Sequence, residues 1–197
     1  MKKGEETRKK ILDTGFEMAS KLGLECLSIG SLAGATCMSK SGLFSHFKSK
    51  EKLQLSVMKH AGRVFREEVL LPALKKPAGV KRLRAMMDNW IDWTVKLSGG
   101  CIFVAAAAEY SDRPGKVRDF IRNQHDLWID SLIRVARSAV RAGDLKADTD
   151  SRLFAFEMYS IILGFYLYHN SIGRKEALEL TRAAFDRLVI SYTPINS

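Results

Sequence analysis

Residues 28–53 read SIGSLAGATCMSKSGLFSHFKSKEKL, and this stretch decides the fold. Ser28 precedes IGSLAGAT, about two turns of helix in which Ile29, Leu32 and Ala33 share one side. Serine is a favoured N-cap because its hydroxyl accepts a hydrogen bond from a free backbone N–H of the first turn. After Cys37 and Met38, Ser39 is a second cap candidate and opens KSGLFSHF. There Leu43 and Phe47, one helical turn apart, face inward, whereas Lys40, Ser41, Gly42, Phe44, Ser45 and His46 fall largely on the other sides. Two short helices joined by a tight turn, the second with a polar outer face, match the helix-turn-helix, whose second helix enters the DNA major groove braced by the first. Periodicity alone leaves an ordinary helical hairpin open.

Working outward, helical spacing persists in both directions. Upstream, Ile11, Leu12, Gly15, Phe16, Ala19 and Leu22 recur at helical steps from Thr7, and Gly23 is a plausible C-cap. Downstream, Leu53, Val57, Met58, Ala61, Val64 and Phe65 predict a long helix from Ser49 to Leu71, ended by Pro72. Val80 to Leu97 follows, with Leu83, Met86, Met87, Trp90, Trp93, Thr94 and Leu97 on one broad face and Asp88 and Asp92 pointing away. Ser98-Gly99-Gly100 breaks that helix, and CIFVAAAAEY forms a short apolar one. Ser111 or Asp112 is expected to cap the next, which carries Pro114 in its first turn and runs to Gly143. Two helices remain, Asp150 to about Ser171 and Arg174 to about Tyr192.

Taken together, the run from Thr7 to Leu53 resembles the N-terminal DNA-binding domain of the TetR family of bacterial transcriptional regulators, most specifically in SKSGLFSHFKSKEKL. The resemblance implies an all-α protein. A three-helix helix-turn-helix domain, residues 1–48, is joined by a long helix to a helical effector-binding and dimerisation domain, residues 49–197. It also implies roles: Ser28 and Ser39 cap the supporting and recognition helices. Lys40, Ser41, Gly42, Phe44, Ser45 and His46 face the groove, and Lys48 and Lys50 stand at the phosphates. A helix beginning near Ser49 adds free N–H groups and partial positive charge for a phosphate. Three positions depart from the family pattern. Cys37 replaces the usual turn glycine and is expected to be packed rather than reactive. Gly42 stands where threonine is common, at a cost of about 1 kcal/mol in helix propensity. Phe44 replaces a tyrosine, removing a hydroxyl.

Composition agrees with that reading. Over 197 residues, 32 Lys and Arg against 22 Asp and Glu give a net charge of +10 and a pI near 9.6, which favours polyanionic partners, nucleic acid ahead of acidic membrane. Cys26, Cys37 and Cys101 show no metal-ligand spacing, and His46 has no second ligand near it, so no metal or other cofactor is expected. The odd cysteine number and the lack of a signal-peptide pattern at MKKGEETRKK point to the cytoplasm. Leu153 to Tyr168, the most apolar stretch, falls short of the roughly 20 residues that span a bilayer and contains Glu157, so no membrane partner is expected. No nucleophile–base pair, paired carboxylates or phosphate-binding glycine loop is visible, which argues against an enzyme and assigns no catalytic residue.

The C-terminal region carries the remaining expectations. The helix from Asp150 is apolar around most of its circumference, so it needs a second buried face. The last helix offers Ala177, Leu178, Leu180, Ala184, Phe185 and Leu188, a face wide enough for both its own subunit and a partner, and with Gly164 and Leu167 on the preceding helix a two-fold four-helix interface follows, hence a homodimer. Trp90, Trp93, Phe103, Tyr110, Trp128, Phe165 and Tyr166 are candidates to line a pocket for an apolar or flat ligand, with Glu109 as a polar anchor. For Glu109 the alternative is a solvated helix end paired with Arg113. The functional expectation is a repressor released from a palindromic double-stranded DNA operator by a small-molecule effector. An architectural DNA-binding protein without an effector is the alternative, followed by a helical enzyme or lipid carrier.

Overall fold

The computed structural model describes residues 3–194, and among the described residues every regular element is helical. The order is α1 (Lys3–Leu22), α2 (Ile29–Thr36), α3 (Lys40–Phe47), α4 (Lys50–Phe65), a π-helical turn (Arg66–Leu70), α5 (Leu71–Leu74), α6 (Val80–Lys96), α7 (Ile102–Glu109), α8 (Lys116–Arg141), α9 (Ser151–Tyr166), a second π-helical turn (Leu167–Ser171) and α10 (Ala177–Tyr192). None of these helices is long and apolar enough to cross a membrane. By packing the chain falls into two units. One holds the chain up to Phe65 together with Lys96–Gln124; the other holds Arg66–Val95 with the chain from His125 onward. This division is drawn differently from the functional one expected at residue 48, because Lys96–Gln124 packs with α1–α4.

In the first unit α1 buries Ile11, Leu12, Phe16 and Ala19, the stripe its spacing dictates, and packs on α2 and α4, while Leu32, Leu43, Phe47, Leu53 and Val57 are buried in the same unit. Gly15 sits where α1 meets α4: a Cβ there would lie 2.9 Å from Val57 Cγ2, so glycine permits the close approach. Gly23 ends α1 in the left-handed region at φ +90°, its N–H donating to Ala19 O at 3.0 Å. The start of α7 is pressed onto this same end. Ser20 Oγ donates to Gly100 O at 3.0 Å, and a Cβ at Gly99 would collide with the Ser20 carbonyl oxygen. The glycine pair that breaks the helix is therefore also what lets α7 dock.

Two proline expectations are corrected. Pro72 does not end the long helix; it occupies the first turn of α5, and the helical path continues through the π-helical turn to Leu74. A proline has no N–H to give to an i−4 carbonyl, and the α-helical ladder is already interrupted by the π-helical turn directly before it. Pro114 lies before α8, followed by Gly115 at φ +137°, and Ser111 closes α7 instead of capping α8, donating to Ala108 O at 3.1 Å.

In the second unit α6 buries Leu83, Met86, Met87, Trp90 and Trp93, while Asp92 is exposed and Asp88 faces Arg182 at 3.9 Å. Asp150 caps α9 through its carboxylate, which accepts from Arg152 N at 2.8 Å. α9 and α10 pack side by side and antiparallel: Phe154 near one end meets the ring of Tyr192 edge-on at 5.2 Å, and Tyr192 Oη donates to Glu157 at 2.7 Å. That bond places the one acid in the apolar stretch. Burial and the bond to Glu157 push the Tyr192 phenol up to about 12.

Candidate nucleic-acid interface

The helix-turn-helix is assembled from reciprocal caps. Ser28 Oγ accepts from Ser31 N at 3.0 Å and Ser31 Oγ accepts from Ser28 N at 2.9 Å, a capping box in which serine takes the place of the usual acid. α2 then ends at Cys37, which adopts the left-handed conformation at φ 53°, ψ 31°. Cys37 is exposed, correcting the expectation that it is packed: the turn tolerates a side chain because it points to solvent, while the backbone bears the strain. Ser39 caps α3, accepting from Gly42 N at 3.1 Å. Gly42 has a local reason too, since a Cβ would stand 3.0 Å from Ser39 Oγ and crowd the cap.

Leu43 and Phe47 are buried and fasten α3 to the unit. Lys40, Ser41, Phe44, Ser45 and His46 are exposed and Gly42 is half-buried, so one helix carries an apolar anchor and an accessible polar face. Phe44 leaves 53% of its surface exposed, which its own fold gives no reason for. Lys48 is the left-handed C-cap of α3 at φ 65°, with its side chain free to reach outward. Ser49 caps α4 by accepting from Lys52 N at 3.1 Å. Lys50 is already engaged, its ammonium 2.6 Å from Glu25 Oε1. Sequence reading passed over Arg8: from α1 its guanidinium lies over the Phe47 ring, 5.3 Å from the centroid, bringing another cation beside α3. Only a basic position on the exposed side of the first helix signals it in the sequence.

The pocket candidates separate between the units. Trp90, Trp93, Trp128, Phe165 and Tyr166 belong to the second, where all but the half-buried Tyr166 are buried and Trp90 meets Phe165 edge-on at 6.3 Å. Phe103, Glu109 and Tyr110 belong to the first. Phe103 packs edge-on against Phe65 at 5.8 Å. Glu109 turns to the backbone and not to Arg113: its carboxylate accepts from Leu24 N at 2.8 Å and Glu25 N at 3.4 Å, fixing the loop after α1. Tyr110 Oη donates to Glu25 at 3.0 Å, and burial followed by that bond pushes its phenol well above the usual range. Hydrogen bonds from Lys50 and Tyr110 hold the Glu25 carboxyl below the usual carboxylate range. Cys101 is buried at the start of α7, in keeping with a structural thiol.

The expected interface residues also sort by burial. Ala177, Phe185 and Leu188 turn into the core of their own unit, the inward part of the wide apolar face expected of the last helix. Phe185 sits at the centre of that core, with Arg84 stacked over its ring at 5.2 Å. Gly164, Leu167 and Leu178 are exposed, and Ala184 is half-buried. Leu180, on the wide apolar face expected of the last helix, joins them at 50% exposure, and so do Phe156, Leu163 and Ile190 at 68%, 37% and 71%, which the spacing had not marked. A shallow cleft of about 270 Å³ runs between α9 and α10, lined among others by Gly164, Tyr168, Leu180 and Ala184.

Comparison with known proteins bears on the fold and the family. Residues 79–185 match the family described as the tetracyclin repressor-like C-terminal domain. The HTH-type transcriptional regulator AcrR of Shigella flexneri is 24% identical over 190 residues, covering 94% of this chain and 87% of that protein. Among solved structures, a TetR-family regulator from Cytophaga hutchinsonii superposes with a TM-score of 0.86 at 19% identity, covering 100% of this chain and 99% of its own. AibR, solved in complex with isovaleryl coenzyme A and operator DNA, superposes with a TM-score of 0.73 at 25% identity, covering 96% and 100%. With more than half of its length matched by the family model and its N-terminal helices folded as a helix-turn-helix, the chain belongs to the TetR family of ligand-responsive, DNA-binding transcriptional regulators.

Proposed function

We propose that the protein represses transcription in the cytoplasm as a homodimer that holds a palindromic operator through two copies of α3 and releases it when a small molecule binds. The observation that carries the DNA part is the division of α3: Leu43 and Phe47 anchor it, and Lys40, Ser41, Phe44, Ser45 and His46 are left facing solvent. Lys40 offers hydrogen-bond donors to guanine, the two serines bond to either edge, and Phe44 suits a thymine methyl. Lys48, and Lys50 once it leaves Glu25, supply phosphate contacts that hold register without reading sequence. The +10 net charge steers the protein toward the duplex.

A second copy of the chain is the partner that suits the outer face of α9 and α10. Phe156, Leu163 and Gly164 on α9 and Leu167 just after it repeat at helical spacing, and Leu180 and Ile190 extend the apolar surface on α10. An isologous pairing buries such a surface twice over and sets two recognition helices about one DNA turn apart. The effector part is supported by the grouping of Trp90, Trp93, Trp128, Phe165 and Tyr166 in one unit and by the ligand-bound state of AibR. Glu109 and Tyr110 are withdrawn from the ligand set because both are occupied elsewhere.

The test is selection of bound sequences from a random DNA pool, followed by a ligand screen. The expected winner is palindromic, with half-site centres about one helical turn apart. Ser41→Ala is expected to change preference among sequences, and Lys48→Ala to weaken all of them and lower the salt slope by about one. A pool with no sequence enriched above non-specific binding would overturn the reading. An effector should change tryptophan fluorescence and release operator DNA over one concentration range, because linkage makes the two effects reciprocal.

A further inference from the structure

Glu25, on the loop between α1 and α2, gathers three groups on one carboxylate. Lys50 Nζ stands 2.6 Å from Oε1, Arg113 Nη1 stands 3.0 Å from Oε2, and Tyr110 Oη donates to Oε2 at 3.0 Å. The backbone of this loop is fixed by other means. Leu24 and Glu25 N–H donate to Glu109, and the buried Gln54 donates from Nε2 to Leu24 O at 2.9 Å. The loop therefore keeps its shape without the Glu25 side chain, whose role is to choose among cations. Lys50 opens α4 just after Lys48, at the place where a phosphate is to be met, and a lysine offers one ammonium to whichever anion holds it. Lys50, Tyr110 and Arg113 also border an open cleft of about 310 Å³, so the lysine has room to swing from the carboxylate.

We propose that Glu25 is an intramolecular competitor of the DNA phosphate for Lys50, and that Tyr110 and Arg113 decide the contest by satisfying the carboxylate when the lysine leaves. This rests on the DNA-binding reading above and adds a control point to it. Tyr110 and Arg113 stand at the corner between α7 and α8, outside the helix-turn-helix sequence. A rearrangement that withdraws them leaves Lys50 as the remaining partner of Glu25 and weakens DNA binding without moving α3.

The experiment measures affinity of the full-length protein for a selected operator by fluorescence anisotropy over a range of salt concentrations. Glu25→Gln is expected to bind about two- to fivefold more tightly, the scale of one exposed ion pair. Its salt slope should steepen, since Lys50 is then free to neutralise a phosphate in every complex and the DNA gives up the counterion held there. A merely structural role for Glu25 predicts loss, not gain. Tyr110→Phe, which changes no charge, is expected to weaken binding in the natural background and to have no effect when Lys50→Gln is present; this arm stands even if Glu25→Gln fails to fold. A folded Glu25→Gln with unchanged or weaker binding, or a Tyr110→Phe loss that persists beside Lys50→Gln, overturns the proposal. If Lys48→Ala also leaves binding untouched, the placement of the phosphate contacts beside α3 has failed; if Lys48→Ala weakens binding while the Glu25 set is inert, only the competition has.

Discussion

α3 and α9 each leave one face uncovered by the protomer, and the two faces are opposite in chemistry. α3 shows a lysine, serines, a histidine and a single phenylalanine ring; α9 shows Phe156, Leu163 and a bare Gly164, with Leu167 next to its end. Both helices are anchored by buried apolar residues on the other side, Leu43 and Phe47 in one, Phe154, Met158, Ile162 and Phe165 in the other. Amphipathicity accounts for the anchors alone. What distinguishes a groove-binding helix from a self-associating one is the side turned away from the core: hydrated donors suit a polyanion, and a dehydrated apolar strip suits its own copy.

That contrast is open to experiment, beginning with the anchor of α3. Phe47→Ala is expected to destabilise the protein by about 3–5 kcal/mol, since it empties a buried aromatic site and removes the ring under Arg8. Denaturant titration would read this directly. A loss below about 1 kcal/mol would mean that α3 is not held by its buried side.

On α9 the same comparison predicts a split between two phenylalanines. Phe156→Asp should leave the protomer folded but drive the dimer to monomer, on the scale of a hot-spot residue at about 2 kcal/mol or more. Phe185→Asp should unfold it, because an unpaired carboxylate would sit where the ring is 1% exposed. Sedimentation and circular dichroism together separate the outcomes. A dimeric Phe156→Asp would locate self-association on another surface.

A smaller effect is expected at the turn before α3. Cys37→Gly relieves a left-handed backbone and is expected to stabilise by about 0.5 kcal/mol, after the extra chain entropy of glycine is subtracted. Thermal melts of the two forms would show it. A loss of stability would mean that the exposed thiol makes contacts beyond those of the turn.

A last expected effect is confined to alkaline pH. Tyr192 has its phenol raised from 10 to about 12, so its contribution is intact below pH 10 and is lost as pH rises toward 12. There the unfolded chain gives up a proton that the folded chain keeps, and stability falls. Tyr192→Phe is expected to flatten that part of the stability profile, followed by denaturant titration at pH 9 to 11, without altering stability at neutral pH by more than the worth of one hydrogen bond, about 1 kcal/mol.

Much of the helix-turn-helix was legible in residues 28–53. Short helices with serine caps obey local rules, and the spacing of Leu32, Leu43 and Phe47 leaves one inward face for each. α2 and α3 accordingly begin and end where their caps predict. The exposed thiol of Cys37 was not legible, because a left-handed turn and its solvent side depend on where the neighbouring helices let the chain pass. Nor was the capture of Lys50 by Glu25, which lie 25 positions apart in the chain.

Sequence by itself determined the helical class, the inward residues of α3, the excess of apolar surface in α9 and the basic character that suits DNA. These follow from periodicity, capping chemistry and composition, which act within a turn or two of helix or over the whole chain. Tertiary structure decided which residues of α9 and α10 remain outside, since a helix apolar on most sides has no preferred face until a neighbour covers one. It also decided the fate of Glu109, whose carboxylate is drawn to unsatisfied N–H groups 85 residues away, and of Phe185, which a wide apolar face left free to point either way. In each case the partner is distant in sequence, and only folding brings to a charge or a ring the group that satisfies it.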